Sequence, residues 1–493
     1  MNTALNLLAF DLGASNGRAI LGQLDGDKLI CRELHRFENN YIEMNGVLYW
    51  DLPYLFAQMK EGFRAFKRAD VGELDCFGID TWGIDYGLLD KNGHLLSNPR
   101  SYRMAVPEDV QRVYAVVDAN TMFRHTGIAT LDFNTVFQLY RRKEERDAAL
   151  ENAETLLMLP DLLAYFFTGE KKSEYTDSTT TMLFNPVLKD WDSEILERLG
   201  LPREIFSEID YPGALRGRLK KDLADELGVS PAPYAVVGSH DTASAVAAIP
   251  GENNFAFCSS GTWSIFGTET EAPVLTEAVQ RANYSNEGSV QGAFRPNKNI
   301  VGLWIIQECR RDWMRQGNAL SWDDIVTEAK KAEPFRSIID PDDSTFFAGG
   351  DMEAKIQDFC RITGQPVPDT VGRIARCVYE SLALKYRDAM EQLEQIKGER
   401  ICQLNIVGGG IQNKMLDQLI ADSLDRRVVC GPVEGAAIGN ILTQAMALGA
   451  VKDIRHLRRI VRQNEHIEEY MPRHTVLWDE AYTRLCELME RRK

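Results

Sequence analysis

A strand, glycine-rich turn, strand pattern occurs twice in this chain, about half a chain apart. In the first copy the turn 11–18 lies within the apolar segment 7–22, and in the second copy the turn 259–262 lies within the segment 255–267. Two apolar runs joined by such a turn predict a β-hairpin. We interpret the two hairpins as an internal repeat.

The length and the remaining strand patterns predict an α/β protein with two domains. A chain of 493 residues exceeds what one hydrophobic core organises, so two domains of about 200 to 250 residues are expected. Apolar runs typical of strands recur, with helical patterns between them, at residues 76–79, 234–237, 404–407 and 428–430. The Ile-Pro-Gly segment 249–251 follows a helical run, so the predicted domains are 1–248 and 249–493.

The charge of the chain argues against several classes of partner. A net charge of −17 and a pI near 5.0 repel nucleic acids and anionic lipid surfaces. A nucleotide can still bind in a cleft, where backbone N–H groups and a cation act at short range. The N-terminal apolar stretch is interrupted by Asp11, and no run approaches the ~18 apolar residues of a membrane span. We expect a soluble, cytoplasmic protein and leave its oligomeric state open.

Cysteine and histidine usage indicates an intracellular protein without a transition-metal centre. The nine cysteines have irregular spacings and form no C-x-x-C motif, which predicts reduced thiols. A bridge between Cys360 and Cys377 stays open as an alternative. The seven histidines form no cluster with metal-ligand spacing.

The first turn is a candidate phosphate-binding loop. Its sequence, DLGASNGR at 11–18, combines glycines and small side chains, which lets a phosphate approach consecutive N–H groups. Asp11 is a candidate to hold Mg²⁺ through water, because hard oxygen ligands suit that ion. Arg18 is a candidate to neutralise a transferring phosphoryl group. The alternative is a tight hairpin whose aspartate caps its own turn.

The second turn, Ser-Ser-Gly-Thr at 259–262, contains no carboxylate. If the two hairpins face one cleft, one turn supplies the metal-binding acid and the other supplies neutral donors. That division avoids placing a second negative charge against the phosphates. The alternative is two unrelated hairpins.

A strand followed by a helix places Asp241 in the first helical turn. The segment 234–245, YAVVGSHDTASA, runs from an apolar strand into small residues. Helix N-termini favour anions, so a carboxylate at this point can receive a proton. Capping of the helix is the alternative role for Asp241, and packing is the alternative role for His240.

A run of three glycines at 408–410 ends another predicted strand and lets a flat ring or a phosphate lie on the backbone. The next unit, 428–439, is a strand, a turn and a small-residue helix that we expect to pack behind this run. The phosphate loops of P-loop proteins and protein kinases are absent, and so is the G-x-G-x-x-G of dinucleotide enzymes. A nucleotide therefore has to bind in another way.

Taken together and in this order, these elements resemble the FGGY family of carbohydrate kinases over nearly the whole chain. The resemblance rests on seven motifs in register: FDLGASNGRAILG (10–22), GIDTWGIDYGLLD (78–90), LPDLLAYFFTG (159–169), SHDTASAV (239–246), SSGTWSIFG (259–267), KNIVGLWIIQ (298–307) and VGGGIQN (407–413). It implies two actin-like, ribonuclease H-like lobes flanking a catalytic cleft. The lobe 1–248 would bind the sugar and the lobe 249–493 the nucleotide.

The resemblance also implies an activity and site residues. Its closest branch phosphorylates L-rhamnulose with ATP and Mg²⁺, giving L-rhamnulose 1-phosphate, with Asp241 as the general base and Asp11 facing the metal. The implied ATP contacts are Ala14, Ser15, Asn16, Gly17, Arg18, Thr262, Gln307 and Gly409. The implied sugar contacts are Gly83, His240, Asp241, Thr242 and Asn299.

Two features depart from the wider family and leave the sugar contacts of other branches in question. Gln138 to Arg141 stand where many members have Lys-x-x-Trp, and Met104 stands where an aspartate is common. Trp82, Tyr86 and Phe133 are candidates for an apolar wall against a 6-deoxy sugar, with core packing as the alternative.

Other functions stay open beside this one. A kinase for L-fuculose, a xylulose or a gluconate is the alternative within the class. An actin-like ATPase that serves as a chaperone or filament subunit is the alternative outside it.

Overall fold

The structure of the protein is a computed structural model that describes residues 4–251, 254–473 and 475–491. The strands in chain order are β1 Leu5–Leu12, β2 Asn16–Asp25, β3 Lys28–Glu38, β4 Tyr41–Met44, β5 Val47–Trp50, β6 Cys76–Thr81, β7 Tyr86–Leu89, β8 Thr155–Met158, β9 Ser173–Glu174, β10 Phe184–Asn185, β11 Asp190–Trp191, β12 Ile209–Asp210, β13 Leu215–Arg218, β14 Pro233–Ala235, β15 Phe255–Ser260, β16 Trp263–Thr268, β17 Ser285–Gly288, β18 Phe294–Val301, β19 Gln403–Val407, β20 Arg427–Cys430 and β21 Glu468–Tyr470. The α-helices are α1 Leu52–Ala69, α2 Pro107–Tyr114, α3 Ala119–Thr126, α4 Thr135–Glu144, α5 Ala148–Glu151, α6 Leu159–Thr168, α7 Tyr175–Ser178, α8 Ser193–Leu199, α9 Lys221–Leu227, α10 Asp241–Ala247, α11 Glu277–Arg281, α12 Trp304–Arg315, α13 Trp322–Lys331, α14 Met352–Ile362, α15 Val371–Lys397, α16 Lys414–Leu424, α17 Gly435–Ala447, α18 Ile454–Asn464 and α19 Thr475–Arg491.

The apolar run that opens the first hairpin forms the central strand of a sheet. All of β1 from Asn6 to Leu12 is buried, as in a strand covered on both faces. β1 pairs antiparallel with β2 and parallel with β6, with Asp11 opposite Asp80 in the parallel register. The strand order is β13-β14-β6-β1-β2-β3.

The second hairpin forms the centre of another sheet in the same way. β15 pairs antiparallel with β16 and parallel with β19, and β19 pairs parallel with β20. The strand order is β17-β18-β16-β15-β19-β20-β21, and its six strands from β18 to β21 repeat the arrangement of the first sheet, in which a hairpin is followed by parallel strands. This shared order is the repeat that the sequence predicts.

Packing divides the chain into two units whose segments alternate along the sequence. The first unit contains Met1–Pro250, Glu269–Pro296 and Glu434–Glu465, and the second contains Gly251–Thr268, Asn297–Val433 and His466–Lys493. The first change of unit falls beside the predicted boundary at residue 249. The assignment of sugar binding to 1–248 and nucleotide binding to 249–493 stays a prediction.

The helix α17 lies in a different place from the one expected. β20 pairs with β19, but α17 belongs to the first unit and packs against α10 and β1. A Cβ at Gly439 would lie 1.8 Å from the backbone oxygen of Ser244, so only glycine allows these two helices to approach so closely. The small residues of α17 serve this helix contact.

The cores of the first unit are rich in large apolar side chains. Phe10 on β1 contacts Phe63 on α1 with a centroid distance of 5.0 Å, and Phe63 in turn contacts Phe77 on β6 at 5.3 Å. On the other face, Ile20 and Ile441 belong to a second buried cluster under α17. The sheet that carries Asp11 is thereby held between two packed layers.

Two further findings concern membranes and thiols. No helix among the described residues is both long enough and apolar enough to cross a bilayer. All nine cysteines are free thiols. The Cys377 thiol hydrogen-bonds the Cys360 thiol and lowers its pKa, so the pair that the sequence leaves open is in contact and unbridged.

Candidate active site

The turn between β1 and β2 presents unpaired backbone donors. Gly13 N donates to Asn16 O at 2.8 Å, and Asn39 closes the loop by donating from its side chain to Gly13 O at 2.9 Å. The N–H groups of Ala14 and Ser15 have no acceptor among the described residues. These two groups are therefore available to a bound anion.

Gly17 has a packing role in the same turn. A Cβ at Gly17 would lie 2.3 Å from Cζ of Phe37, whose ring occupies the space beside the strand. This contact accounts for the glycine whether or not a nucleotide binds there. The neighbouring Asn16 is exposed at the start of β2.

Asp11 and Arg18 lie opposite each other across the hairpin and form an ion pair. Arg18 Nη2 is 2.5 Å from Asp11 Oδ2, and Arg18 Nη1 donates to Glu434 Oε2. Burial raises the pKa of Asp11, although the Arg18 charge opposes this effect. Burial works to lower the pKa of Arg18, but the carboxylates of Asp11 and Glu434 prevail and raise it. The Arg18 guanidinium thus already has two carboxylate partners, and a phosphate would compete with them for it.

Asp80 is a second carboxyl at the end of the same sheet. It is fully buried beside Asp11, and Asn440 Nδ2 donates to its Oδ2 at 2.5 Å. Its Oδ1 has no hydrogen-bond partner among the described residues. Burial, and then the charge of Asp11, raise the pKa of Asp80 well above its ordinary value. No local sequence pattern singles out this residue, although it lies within the motif at 78–90.

Asp241 is the first residue of α10 and so lies in the first helical turn, where the sequence predicts it, and its side chain does not cap the helix. Thr242 Oγ1 donates to Asp241 Oδ1 at 3.0 Å, and His240 Nε2 is 3.6 Å from the same oxygen. No donor among the described residues bonds to Oδ2. The side chain is 32% exposed, so one carboxylate oxygen is held in place and the other is free to accept a proton.

A buried carboxylate supports the segment that leads into α10. Glu174 Oε2 accepts hydrogen bonds from Ser239 Oγ at 2.5 Å and from Thr176 Oγ1 at 2.7 Å. Thr176 Oγ1 in turn accepts from His240 N at 3.2 Å. Burial raises the pKa of Glu174. This network positions the backbone immediately before Asp241, and no local sequence signal identifies its members.

Gly83 follows β6 and lies close to another buried acid. A Cβ at this position would be 3.2 Å from both Asp177 Oδ1 and Thr180 Oγ1. Burial raises the pKa of Asp177 well above its ordinary value. Any side chain at residue 83 would press on this pair.

The aromatic candidates are mainly packing residues. Trp82 is buried against Trp50, with ring centroids 4.3 Å apart, and both indoles donate to Asp85 Oδ2, at 2.9 and 2.6 Å. Burial raises the pKa of Asp85 to about 7, although these hydrogen bonds act to lower it. Tyr86 is also buried, whereas Phe133 is only half-buried and meets the Tyr102 ring edge-on at 5.9 Å.

In the second unit, the turn between β15 and β16 meets the start of α12. Thr262 Oγ1 donates to Gln307 Oε1 at 3.1 Å, which brings together two residues predicted from distant motifs. Asn299 lies on β18 opposite Ile265. The second unit thus contains all four predicted residues that follow the boundary, namely Thr262, Asn299, Gln307 and Gly409.

The glycine run packs against the same turn. Gly408 has φ +89°, and a Cβ there would lie 2.9 Å from the backbone oxygen of Ser260. Gly409 would meet nothing within 4 Å, so its face is open. A planar ring can therefore lie on Gly409, while Gly408 and Gly410 hold the loop against β15.

Solved structures of similar fold define the class of protein. The xylulose kinase and the gluconate kinase of Lactobacillus acidophilus match with TM-scores of 0.83 and 0.84, each at 17% identity; the alignments cover 98% and 99% of this chain and 98% of each structure. Plasmodium falciparum glycerol kinase with ADP matches with a TM-score of 0.76 at 13% identity, over 100% of this chain and 98% of that one. These likenesses show the two-domain actin-like, ribonuclease H-like fold.

Family models identify the chain more closely. The N-terminal and C-terminal domain models of the FGGY family of carbohydrate kinases match residues 6–248 and 256–448. The chain belongs to this family and is a sugar kinase that uses ATP. Among its relatives, the rhamnulokinase of Bacteroides thetaiotaomicron is 40% identical over 97% of this chain and 98% of that protein. The rhamnulokinase of Mannheimia succiniciproducens is 38% identical over 99% and 100%, respectively.

Proposed function

We propose that the protein transfers the γ-phosphoryl group of ATP to O1 of L-rhamnulose, with Asp241 as the general base. The observation that carries the proposal is the Asp241 carboxylate, which has one oxygen held by Thr242 and one without a donor among the described residues. The identity of the sugar is inferred from the rhamnulokinases that match nearly the whole chain.

In the proposed reaction, Asp241 Oδ2 accepts the proton of the sugar hydroxyl. The hydroxyl oxygen forms a bond to the γ-phosphorus, and the bond between that phosphorus and the bridging oxygen of ADP breaks. Phosphoryl transfer has a loose transition state, so orientation of the hydroxyl contributes more than early proton removal. The carboxylate anchored through Oδ1 serves this orientation.

We assign the remaining predicted residues to the two substrates. Gly83, His240, Thr242 and Asn299 would bind the sugar. The N–H groups of Ala14 and Ser15, which have no acceptor among the described residues, support a phosphate contact at the turn. Asn16, Gly17, Arg18, Thr262, Gln307 and Gly409 complete the proposed ATP contacts.

The donor set of the first turn fits a magnesium ion held through water. Asp11 Oδ2 is engaged by Arg18, while Oδ1 has no partner among the described residues, and carboxylate oxygens are ligands that Mg²⁺ accepts. Among the described residues no cluster of three or more histidine, cysteine or acidic side chains is able to hold a metal. The ion would therefore take most of its ligands from phosphates and water, and when bound it would neutralise phosphate charge.

A panel of sugars with coupled detection of ADP tests the substrate. L-rhamnulose should give the highest kcat/KM, above L-fuculose, xylulose and gluconate. Higher kcat/KM on one of the other sugars would overturn the assignment of the sugar. Equal ATP turnover with no sugar present would overturn the assignment of a sugar kinase activity to this site.

A further inference from the structure

The guanidinium of Arg295 contacts the ring of His240 from inside the first unit. Arg295 is fully buried, its Nε donates to Gly288 O at 2.7 Å, and its Nη2 donates to Glu287 Oε2 at 2.9 Å. The same Nη2 is 2.7 Å from His240 Nδ1. Burial lowers the pKa of Arg295 and the Glu287 carboxylate opposes this effect; an arginine nevertheless stays charged at neutral pH.

We propose that Arg295 holds His240 in the neutral tautomer with the proton on Nε2, so that the ring presents a hydrogen-bond donor beside Asp241. A guanidinium has only donors, so the histidine nitrogen in contact with it must accept. The Nη2 group has two hydrogens and can donate one to Glu287 Oε2 and the other to His240 Nδ1. A proton on Nδ1 would set two donors against each other at 2.7 Å.

Glu287 is the group that makes Arg295 necessary. Its Oε2 lies 3.4 Å from His240 Nδ1, and a carboxylate beside an imidazole nitrogen favours a proton on that nitrogen. Arg295 lies closer to Nδ1 and also pairs with this carboxylate. Asp241 Oδ1 lies 3.6 Å from Nε2 and favours a proton on that nitrogen, but Glu287 is nearer to the ring and less exposed. Without the arginine we therefore expect the proton on Nδ1.

The tautomer determines what the site offers to a sugar. With the proton on Nε2, the ring offers a donor 3.6 Å from Asp241 Oδ1, and the free Asp241 Oδ2 offers an acceptor. One sugar oxygen can then give its proton to Asp241 while a neighbouring oxygen accepts from His240. The opposite tautomer would place a lone pair beside the carboxylate and repel an acceptor oxygen. This step rests on the proposed function, whereas the tautomer itself does not.

The tautomer is measured directly by ¹⁵N NMR of the ligand-free enzyme labelled in its seven histidines. The His240 signals are assigned by their loss in His240→Gln. We expect a pyrrole-type shift for Nε2 and a pyridine-type shift for Nδ1. A pyrrole-type Nδ1, or two protonated nitrogens at neutral pH, would overturn the proposal without any further variant.

Three variants test the role of Arg295. In Arg295→Met the proton should move to Nδ1, toward Glu287. In Arg295→Lys the ammonium is also a pure donor, so the proton should stay on Nε2. Glu287→Gln is the matched control, because it alters the other partner of the same guanidinium and should leave the tautomer unchanged. Retention of the Nε2 proton in a folded Arg295→Met enzyme would overturn the role of the arginine.

Kinetics then separate a positioning role from a structural one. Arg295→Met should raise KM for the sugar about tenfold, or about 1.4 kcal/mol, as expected for the loss of one hydrogen bond, and should leave KM for ATP unchanged. Arg295→Lys should restore the sugar KM. Equal changes in both KM values would overturn the sugar-binding part of the proposal. If L-rhamnulose is not the preferred sugar in the substrate panel, the tautomer measured by NMR is unaffected. A wrong substrate assignment is therefore distinguishable from a wrong tautomer.

Discussion

The two hairpin turns share a backbone frame and differ in charge. Asp11 on β1 lies opposite Arg18 in its hairpin and opposite Asp80 in the parallel strand. At the corresponding position on β15, Ser259 lies opposite Ile265 and Val407. The first turn thus holds a partly buried ion pair and a second acid, while its repeat holds a hydroxyl between apolar side chains. The comparison shows that the fold places strand ends and the side chains decide the chemistry.

The largest difference between the turns is expected from substitutions at these equivalent positions. Asp11→Asn should lower kcat by about 10² to 10³-fold, because a charge acting on the phosphates through a metal is worth several kcal/mol. It should also raise the Mg²⁺ concentration needed for half-maximal rate. Ser259→Ala is the matched control, and its kcat should stay within about threefold of the kcat of the parent enzyme. Equal losses in the two variants would remove the functional contrast between the turns.

The next effect concerns the glycines that hold the second turn. Gly408→Ala should lower the free energy of unfolding by about 1 to 3 kcal/mol, because alanine is strained at this backbone conformation. Its Cβ would also meet Ser260 O at 2.9 Å. Gly409→Ala meets no atom within 4 Å and should leave the stability unchanged while raising KM for ATP. Denaturant unfolding and ATP titrations check both, and equal stability losses would contradict the separate roles.

Neutral donors in the second turn should contribute less than the charges of the first. Thr262→Ala removes the hydroxyl that donates to Gln307 at 3.1 Å. We expect KM for ATP to rise about three- to tenfold, as for one neutral hydrogen bond, with KM for the sugar unchanged. A fall in kcat/KM for ATP as large as that caused by Asp11→Asn would contradict the smaller contribution that we expect from the second turn.

Much of this arrangement is predictable from sequence, and the remainder depends on distant contacts. The two hairpins, the position of Asp241 in the first turn of α10 and the choice of Thr262 and Gln307 as candidates follow from local patterns or family motifs. Asp80 reads as an ordinary strand residue until its register beside Asp11 is known. Glu174 and Arg295 meet the 239–241 segment only through folding. Local spacing contains no signal for such contacts.

The smallest expected effect is the pH dependence that Asp80 adds to the first sheet. Its pKa is raised above the ordinary value of 3.8, so the folded state favours the protonated form. The contribution of Asp80 to the free energy of unfolding is therefore complete below pH 3.8 and is lost as the pH rises through the pKa of the folded state. The amide in Asp80→Asn cannot ionise. The melting temperature of this variant should therefore exceed that of the parent protein by more at pH 8 than at pH 5. A gain that does not depend on pH would contradict the raised pKa.

The substitution Asp241→Asn tests whether Asp241 accepts the proton of the sugar hydroxyl. The amide keeps the size of the side chain and the contact with Thr242 but cannot take the proton. We predict a fall in kcat of about 10² to 10⁴-fold, with sugar and ATP binding retained in calorimetric titrations. Asp225→Asn, which removes an exposed carboxylate on α9, should leave kcat unchanged. Turnover by Asp241→Asn close to that of the parent enzyme would show that Asp241 is not the general base.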